Sequence, residues 1–118
     1  MSKHKFTIKG SLPDFNSFAP ANWRKFARIK KKATEKVAEA AKDLPKFTHP
    51  IFLKISYYPK DKRKDKDNIA ASKKFILDGL IKAGKIPNDG WGEIDCWIEE
   101  FEVDKSNPRI EIEITEEG

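Results

Sequence analysis

The chain has 118 residues, enough for one domain with its own core, of which 36% are charged, with a net charge of +5. A lone cysteine, Cys96, excludes an internal disulfide and fits a reducing compartment. No apolar run approaches the ~20 residues of a membrane span, so a cytoplasmic protein with no membrane partner is expected.

The opening MSKHKFTIKG lacks the apolar stretch of a signal peptide. Within it, Lys5–Gly10 alternates Phe6 and Ile8 with polar residues and predicts a first strand. The following SLPDFNSFAP is turn-rich, punctuated by Pro13, Asn16 and Pro20. A helix is expected to start near Pro20 or Asn22, since Pro suits a first helical turn and Asn is a good cap. Trp23, Phe26, Ala33, Val37 and Ala40 recur at helical spacing as one apolar stripe. Arg24, Lys25, Arg28, Lys31, Lys32 and Lys36 lie mostly off it, so this helix has an apolar face and a basic face; Leu44 and Pro45 end it.

IFLKISYY, residues 51–58, is β-branched and aromatic and predicts a strand, closed by Pro59. The basic loop KDKRKDKD leads to a second helix starting at Asp67 or Asn68. Its buried stripe is Ile69, Ile76, Leu77, Leu80 and Ala83, and Gly84 stops it. KIPNDGW is a turn-rich connection. Trp91–Val103 holds two apolar sets of opposite parity, Ile94, Cys96 and Ile98, then Phe101 and Val103, which predicts a strand with a bulge or bend between them. DKSNP predicts a hairpin loop, and RIEIEIT, residues 109–115, a strand with one wet face. The expected fold is α+β, a single small domain over residues 1–118 with order β-α-β-α-β-β. Two helices should cover one face of a mixed four-stranded sheet, with the last two strands paired as a hairpin.

The charge is unevenly divided. Residues 1–74 hold 20 Lys or Arg against 7 Asp or Glu, a balance of +13, and residues 75–118 hold 4 against 12, a balance of −8. Such a cationic half favours a polyanionic partner. Candidate phosphate contacts are Lys60, Lys62, Arg63, Lys64, Lys66 and Lys73 around the basic loop, and Arg24, Arg28, Lys31 and Lys32 on the first helix.

Two carboxylates interrupt that basic loop. In an extended segment, residues two apart point the same way, so Asp65 and Asp67 would aim at one point, and Asp89 is available as a third. Oxygen donors of this kind suit Mg²⁺, which leaves part of its shell to water and phosphate. The plainer alternative is that Asp67 caps a helix, Asp65 offsets neighbouring lysines and Asp89 belongs to an N-D-G turn. Lys74, seven residues after Asp67, would share its helical face. It could stabilise charge building on a phosphate, or simply pair with Asp78 at i, i+4; Lys73 is a neighbouring candidate on a different face. The loop is no EF-hand, having neither Gly at its sixth position nor Glu at its twelfth. His4 and His49 are not spaced as a metal pair, and Cys96 is expected as a buried thiol in a strand. Neither G-x-x-x-x-G-K-[ST] nor G-x-G-x-x-G occurs, so no nucleotide cofactor is expected. Trp23, Trp91, Trp97, Tyr57 and Tyr58 suit either base stacking or the core.

Three blocks, DKDNI at 65–69, KFILDGL at 74–80 and AGKIPND at 83–89, resemble the RusA family of Holliday junction resolvases. The stretch GSLPDFN and the closing RIEIEI look like the ends of that family's pattern, so the resemblance covers nearly the whole chain. It implies an endodeoxyribonuclease dependent on Mg²⁺, with Mn²⁺ as a substitute. It also implies a homodimer that resolves four-way DNA junctions by paired nicks, in recombination and repair, in a bacterial or phage setting. The family's essential carboxylates match Asp65, Asp67 and Asp89, and its catalytic lysine, one turn before the aspartate of LDGL, matches Lys74. The chain departs from the pattern twice: counting forward from DKDN puts the lysine at Ala71, about three residues short of Lys74, and Asn88-Asp89 stands where the family often has two acids. Two other expectations remain beside the nuclease: a junction- or duplex-DNA-binding protein without cleavage, and a small interaction protein with an apolar docking surface.

Overall fold

Alternation along two strands decides the sheet. A computed structural model describes residues 2–13 and 23–117. In it, β2 (Ile51–Tyr58) buries Ile51, Leu53, Ile55 and Tyr57 and half-exposes the residues between them. β4 (Arg109–Glu116) does the same with Ile110, Ile112 and Ile114. A strand with this period of two covers a core with one face only, and both strands turn that face to the helices. α1 (Trp23–Ala40) contributes Ala33 and Val37, and α3 (Lys73–Lys82) contributes Phe75, Ile76, Leu77 and Leu80. Phe6 and Ile8 of β1 (Ser2–Lys9) complete the same cluster. Each fully buried Ile, Leu or Phe contributes about 1.5–3 kcal/mol relative to exposure.

The element order is β-α-β-α-β-β as expected, with the second helix in two pieces, α2 (Lys66–Ala70) and α3. The C-terminus of α3 is stopped by Gly84 at φ +73°; Gly84 N–H donates to Ile81 and Lys85 N–H to Leu80, the paired bonds that close a helix on a left-handed glycine. The turn signals at Asn16 and Pro20 and the start of the first helix near Pro20 or Asn22 lie outside the described residues. α1 ends at Ala40, one turn before Leu44 and Pro45. Its stripe is shorter than expected, because Trp23 is 66% exposed and carries the Arg24 guanidinium 5.3 Å from its ring.

The strand order is β1-β4-β2-β3, where β3 is Ile94–Phe101. This overturns the expected hairpin: β4 lies between β1 and β2, antiparallel to both, while β3 is parallel to β2 at the edge. The connection at 102–108 therefore crosses the end of β2, where Glu102 N–H donates to the Tyr57 carbonyl and Asp104 N–H to that of Pro59. A strand with three buried isoleucines needs partners on both sides, whereas the acid-rich β3 tolerates an edge, where charge also blocks further pairing.

The bulge in β3 also lies elsewhere than expected. Ile51 pairs with Ile94 but Phe52 pairs with Cys96, so Asp95 is the extra residue. One inserted residue flips every side chain beyond it. Ile94 faces the core, Trp97, Glu99 and Phe101 share the helix side, and Cys96, Ile98 and Glu100 fall on the face that no helix covers. Cys96 is therefore exposed rather than buried.

Glu116 ties the sheet to the segment before β2. Its Oε2 accepts the backbone N–H groups of Thr48 at 2.7 Å and His49 at 3.1 Å, and these hold the carboxyl below its ordinary pKa. A depressed carboxyl stabilises the fold above the unfolded pKa, and that stabilisation is lost as pH falls through the folded value. Glu116→Gln should therefore be less stable than the parent at pH 7, with the gap closing below about pH 4 in urea titrations. Among the described residues, no helix is long and apolar enough to cross a membrane.

Candidate active site

Pro59 ends β2 because it has no N–H to give the sheet, and the chain enters the basic loop. Arg63 N–H donates to Asp61 Oδ1 at 3.0 Å, a local turn of the kind aspartate favours. Lys60, Lys62, Arg63, Lys64 and Lys66 are all exposed, as are Arg24, Arg28, Lys31 and Lys32 on α1.

Asp65 and Asp67 do not lie in one extended segment. Asp65 is extended (φ −69°, ψ 157°) at the N-cap position of α2, without a side-chain cap bond, and Asp67 is in the helix's first turn. A negative side chain there complements the helix's unpaired N–H groups, which is why the turn forms. Both aspartates are exposed, and Asp67 Oδ1 accepts the N–H of Asn68 at 2.9 Å.

The helix breaks between Ala70 and Lys73. Ser72 is buried, and its hydroxyl donates to the Ile69 carbonyl at 2.8 Å, competing with helix continuation. Because of the break, Asp67 and Lys74 do not sit two turns apart on one continuous helix. Lys74 keeps its i, i+4 relation to Asp78 within α3.

Lys74 bridges two carboxylates. Its Nζ lies 3.1 Å from Asp78 Oδ1 and 3.3 Å from Asp89 Oδ2. The i, i+4 pair with Asp78 expected as the plainer alternative is therefore present, and Asp89 joins it. The bond to Asp78 first, and that to Asp89 behind it, raise the Lys74 pKa above its ordinary value, so the side chain is a cation at neutral pH. Asp89 returns to α3 because the connection after Gly84 doubles back, and Asp89 N–H is held by Asn88 Oδ1 at 2.9 Å.

Lys73 has a different role. Its Nζ is 3.2 Å from Glu99 Oε1 and 4.0 Å from the centre of the Trp97 ring. Glu99 also accepts the Tyr57 hydroxyl at 2.9 Å, and Tyr57 stacks on Phe101 with centroids 5.0 Å apart. Burial first, and the Glu99 charge next, push the Tyr57 phenol well above its ordinary pKa, so it remains a donor. Lys66 Nζ sits 5.7 Å over Phe101, which joins α2 to the same layer. Glu99 escaped the sequence reading because the bulge at Asp95 hides which face it occupies, and it is one of three acids in the strand.

A cavity of about 490 Å³ lies beside the loop, lined among others by Tyr58, Lys60, Arg63, Asn68, Ser72 and Arg109. Asp65, Asp67, Lys74 and Asp89 are not in its wall, so the cavity adjoins the aspartates rather than containing them. Arg109 there is already engaged, with Asp104 at 2.7 Å, Glu111 at 2.6 Å and the Tyr58 ring at 3.9 Å. Oxygen donors at Asp65, Asp67 and Asp89 have the right chemistry for Mg²⁺. Among the described residues, however, no group of three or more His, Cys, Asp or Glu side chains is gathered to hold a metal ion. Each of the three thus has suitable oxygen chemistry for the ion, but the described residues do not bring them to one point.

A family model described as endodeoxyribonuclease RusA matches residues 2–115. No curated protein matches the chain.

Proposed function

Because the chain belongs to the RusA endodeoxyribonuclease family, we propose that it is a Mg²⁺-dependent endonuclease that resolves four-way DNA junctions by paired nicks, as a homodimer acting in recombination and repair. The observation that supports this reading is the family match over residues 2–115, together with the meeting of Lys74 and Asp89, two site candidates from separate elements.

The exposed cations of the loop and of α1 draw the phosphate backbone in, independently of sequence and with strong salt dependence. Asp65, Asp67 and Asp89 would hold the Mg²⁺. When bound, the ion supplies positive charge at the cleaved phosphate and orients water for in-line attack. Lys74, kept cationic by Asp78 and Asp89, adds charge stabilisation as negative charge builds on phosphorus-bound oxygens. The Tyr57–Glu99–Lys73 layer braces the C-terminal end of β2, from which the loop departs. A two-fold pair of such sites would cut two symmetry-related strands.

Incubating the protein with a labelled synthetic four-way junction and a linear duplex of the same sequence tests this directly. Paired nicks in the junction alone, appearing with Mg²⁺ and lost with chelator, are expected. Salt-dependent junction binding with no product under any divalent cation would replace the nuclease with a binding protein.

A further inference from the structure

Trp91 is fully exposed, at 102% of its reference area, whereas Trp97 is 47% exposed and pressed beneath Lys73. Core packing therefore does not account for an indole at this position. Trp91 follows Asp89 by two residues, and its turn is braced on both sides. Upstream, Asp89 is bound by Lys74, and Phe47 N–H donates to the Lys85 carbonyl at 2.8 Å. Downstream, Gly90 N–H donates to Glu93 Oε1 at 3.2 Å, and the N–H groups of Glu93 and Ile94 donate to the Gly90 carbonyl at 3.2 and 3.0 Å. A rigid apolar ring held in water on a braced turn has already met part of the ordering cost of binding.

The surrounding charge narrows the partner. Asp89, Glu93 and Asp95 flank the indole in the chain, so this turn offers the ring rather than a cation to a partner, unlike the basic loop. Its partner surface must be flat and uncharged. DNA offers such a surface where the base stack is interrupted; in a continuous duplex the base faces are covered by their neighbours. Stacking of a base on an aromatic ring is tolerant of sequence and worth a large factor in affinity.

We infer that Trp91 stacks on a base uncovered at the branch point of the junction, as a positioning residue that seats branched DNA beside Asp89 and disfavours linear duplex. This rests on the endonuclease reading and names how that site selects its substrate.

The test uses the full chain, a four-way junction with 2-aminopurine at the branch point, and the matching linear duplex, all in chelator so that binding is read without cleavage. Wild type should quench the branch-point fluorescence. Trp91→Phe should keep most of the quenching and affinity. Trp91→Ala should lose the quenching and about tenfold or more in junction affinity, with duplex affinity unchanged. Unchanged quenching and affinity in Trp91→Ala, beside a wild type that binds and cuts the junction, would overturn the role of Trp91 and leave the nuclease reading intact. So would a switch of Trp91→Ala from dimer to monomer in sedimentation, which would make the indole a protein contact. A wild type that does not bind the junction would overturn both.

Discussion

Asp67→Asn should bind a four-way junction at least as tightly as the parent and cut it about a hundredfold or more slowly in Mg²⁺. The fold gives no reason for the substitution to unfold the protein. Asp67 is exposed, and the hydrogen bond its side chain accepts from Asn68 N–H can be accepted equally by the amide oxygen of Asn. What is lost is one negative charge, and with it an anionic ligand for a divalent ion. Removing that charge from a site where phosphate must approach should favour binding. Asp65→Asn and Asp89→Asn should behave alike, but Asp89→Asn also removes one of the two carboxylates that hold Lys74. Lys74→Met should slow cleavage while lowering the Mg²⁺ concentration at half-maximal rate, because it removes charge stabilisation and also the cation that competes with the ion for Asp89. Full activity in Asp67→Asn, measured in single-turnover cleavage, would remove it from the site and leave it as a first-turn helix residue.

Gly79→Ala should lower stability by about 1–3 kcal/mol, despite the roughly 1 kcal/mol that Ala gains over Gly within a helix. Gly79 is buried in the middle of α3, where α3 crosses α1. A Cβ at this position would collide with the side chain of Val37, itself fully buried, and come within 3.2 Å of the Ala38 nitrogen. The glycine of LDGL is thus a packing requirement: it lets the two helices approach until Val37 fills the space a side chain would occupy. Thermal melts followed by circular dichroism should show a midpoint on the order of 10 °C lower. Val37→Ala in the same chain removes one obstructing methyl but keeps the Cβ at position 37, which also collides with the added group, so the double variant should stay less stable than the parent. A Gly79→Ala protein as stable as the parent would mean that α1 and α3 are farther apart than described. The crossing matters to the site as well, since Lys74 and Asp78 ride on α3.

The outcome at particular residues shows which features local sequence carries. β2 is bounded at Ile51 and Tyr58 as its β-branched and aromatic run and Pro59 suggest, and RIEIEIT alternates as a strand with one buried face. Gly84 stops α3 because only a residue at ease with positive φ can close that helix end. The aspartates of DKDN and the lysine before LDGL were legible as chemistry through residue type and spacing, and the basic loop through its charge. None of this needs knowledge of what lies across the fold.

Long-range partners decided the rest. β4 pairs with β1 and β2 rather than with its sequence neighbour β3, because strand pairing is settled by which faces can be buried together. A single extra residue at Asp95 reverses the parity of β3, turning Cys96 and Ile98 outward and Glu99 toward Tyr57 and Lys73. Ser72 breaks the helix by a hydrogen bond that helical periodicity does not reveal. Residue type and period along the chain therefore determined the elements, the charge and the candidate carboxylates. Only the tertiary structure decided that Asp89 meets Lys74 and that Trp91 stands in water, because both follow from where the chain returns after Gly84, and that path is set by packing against residues distant in sequence.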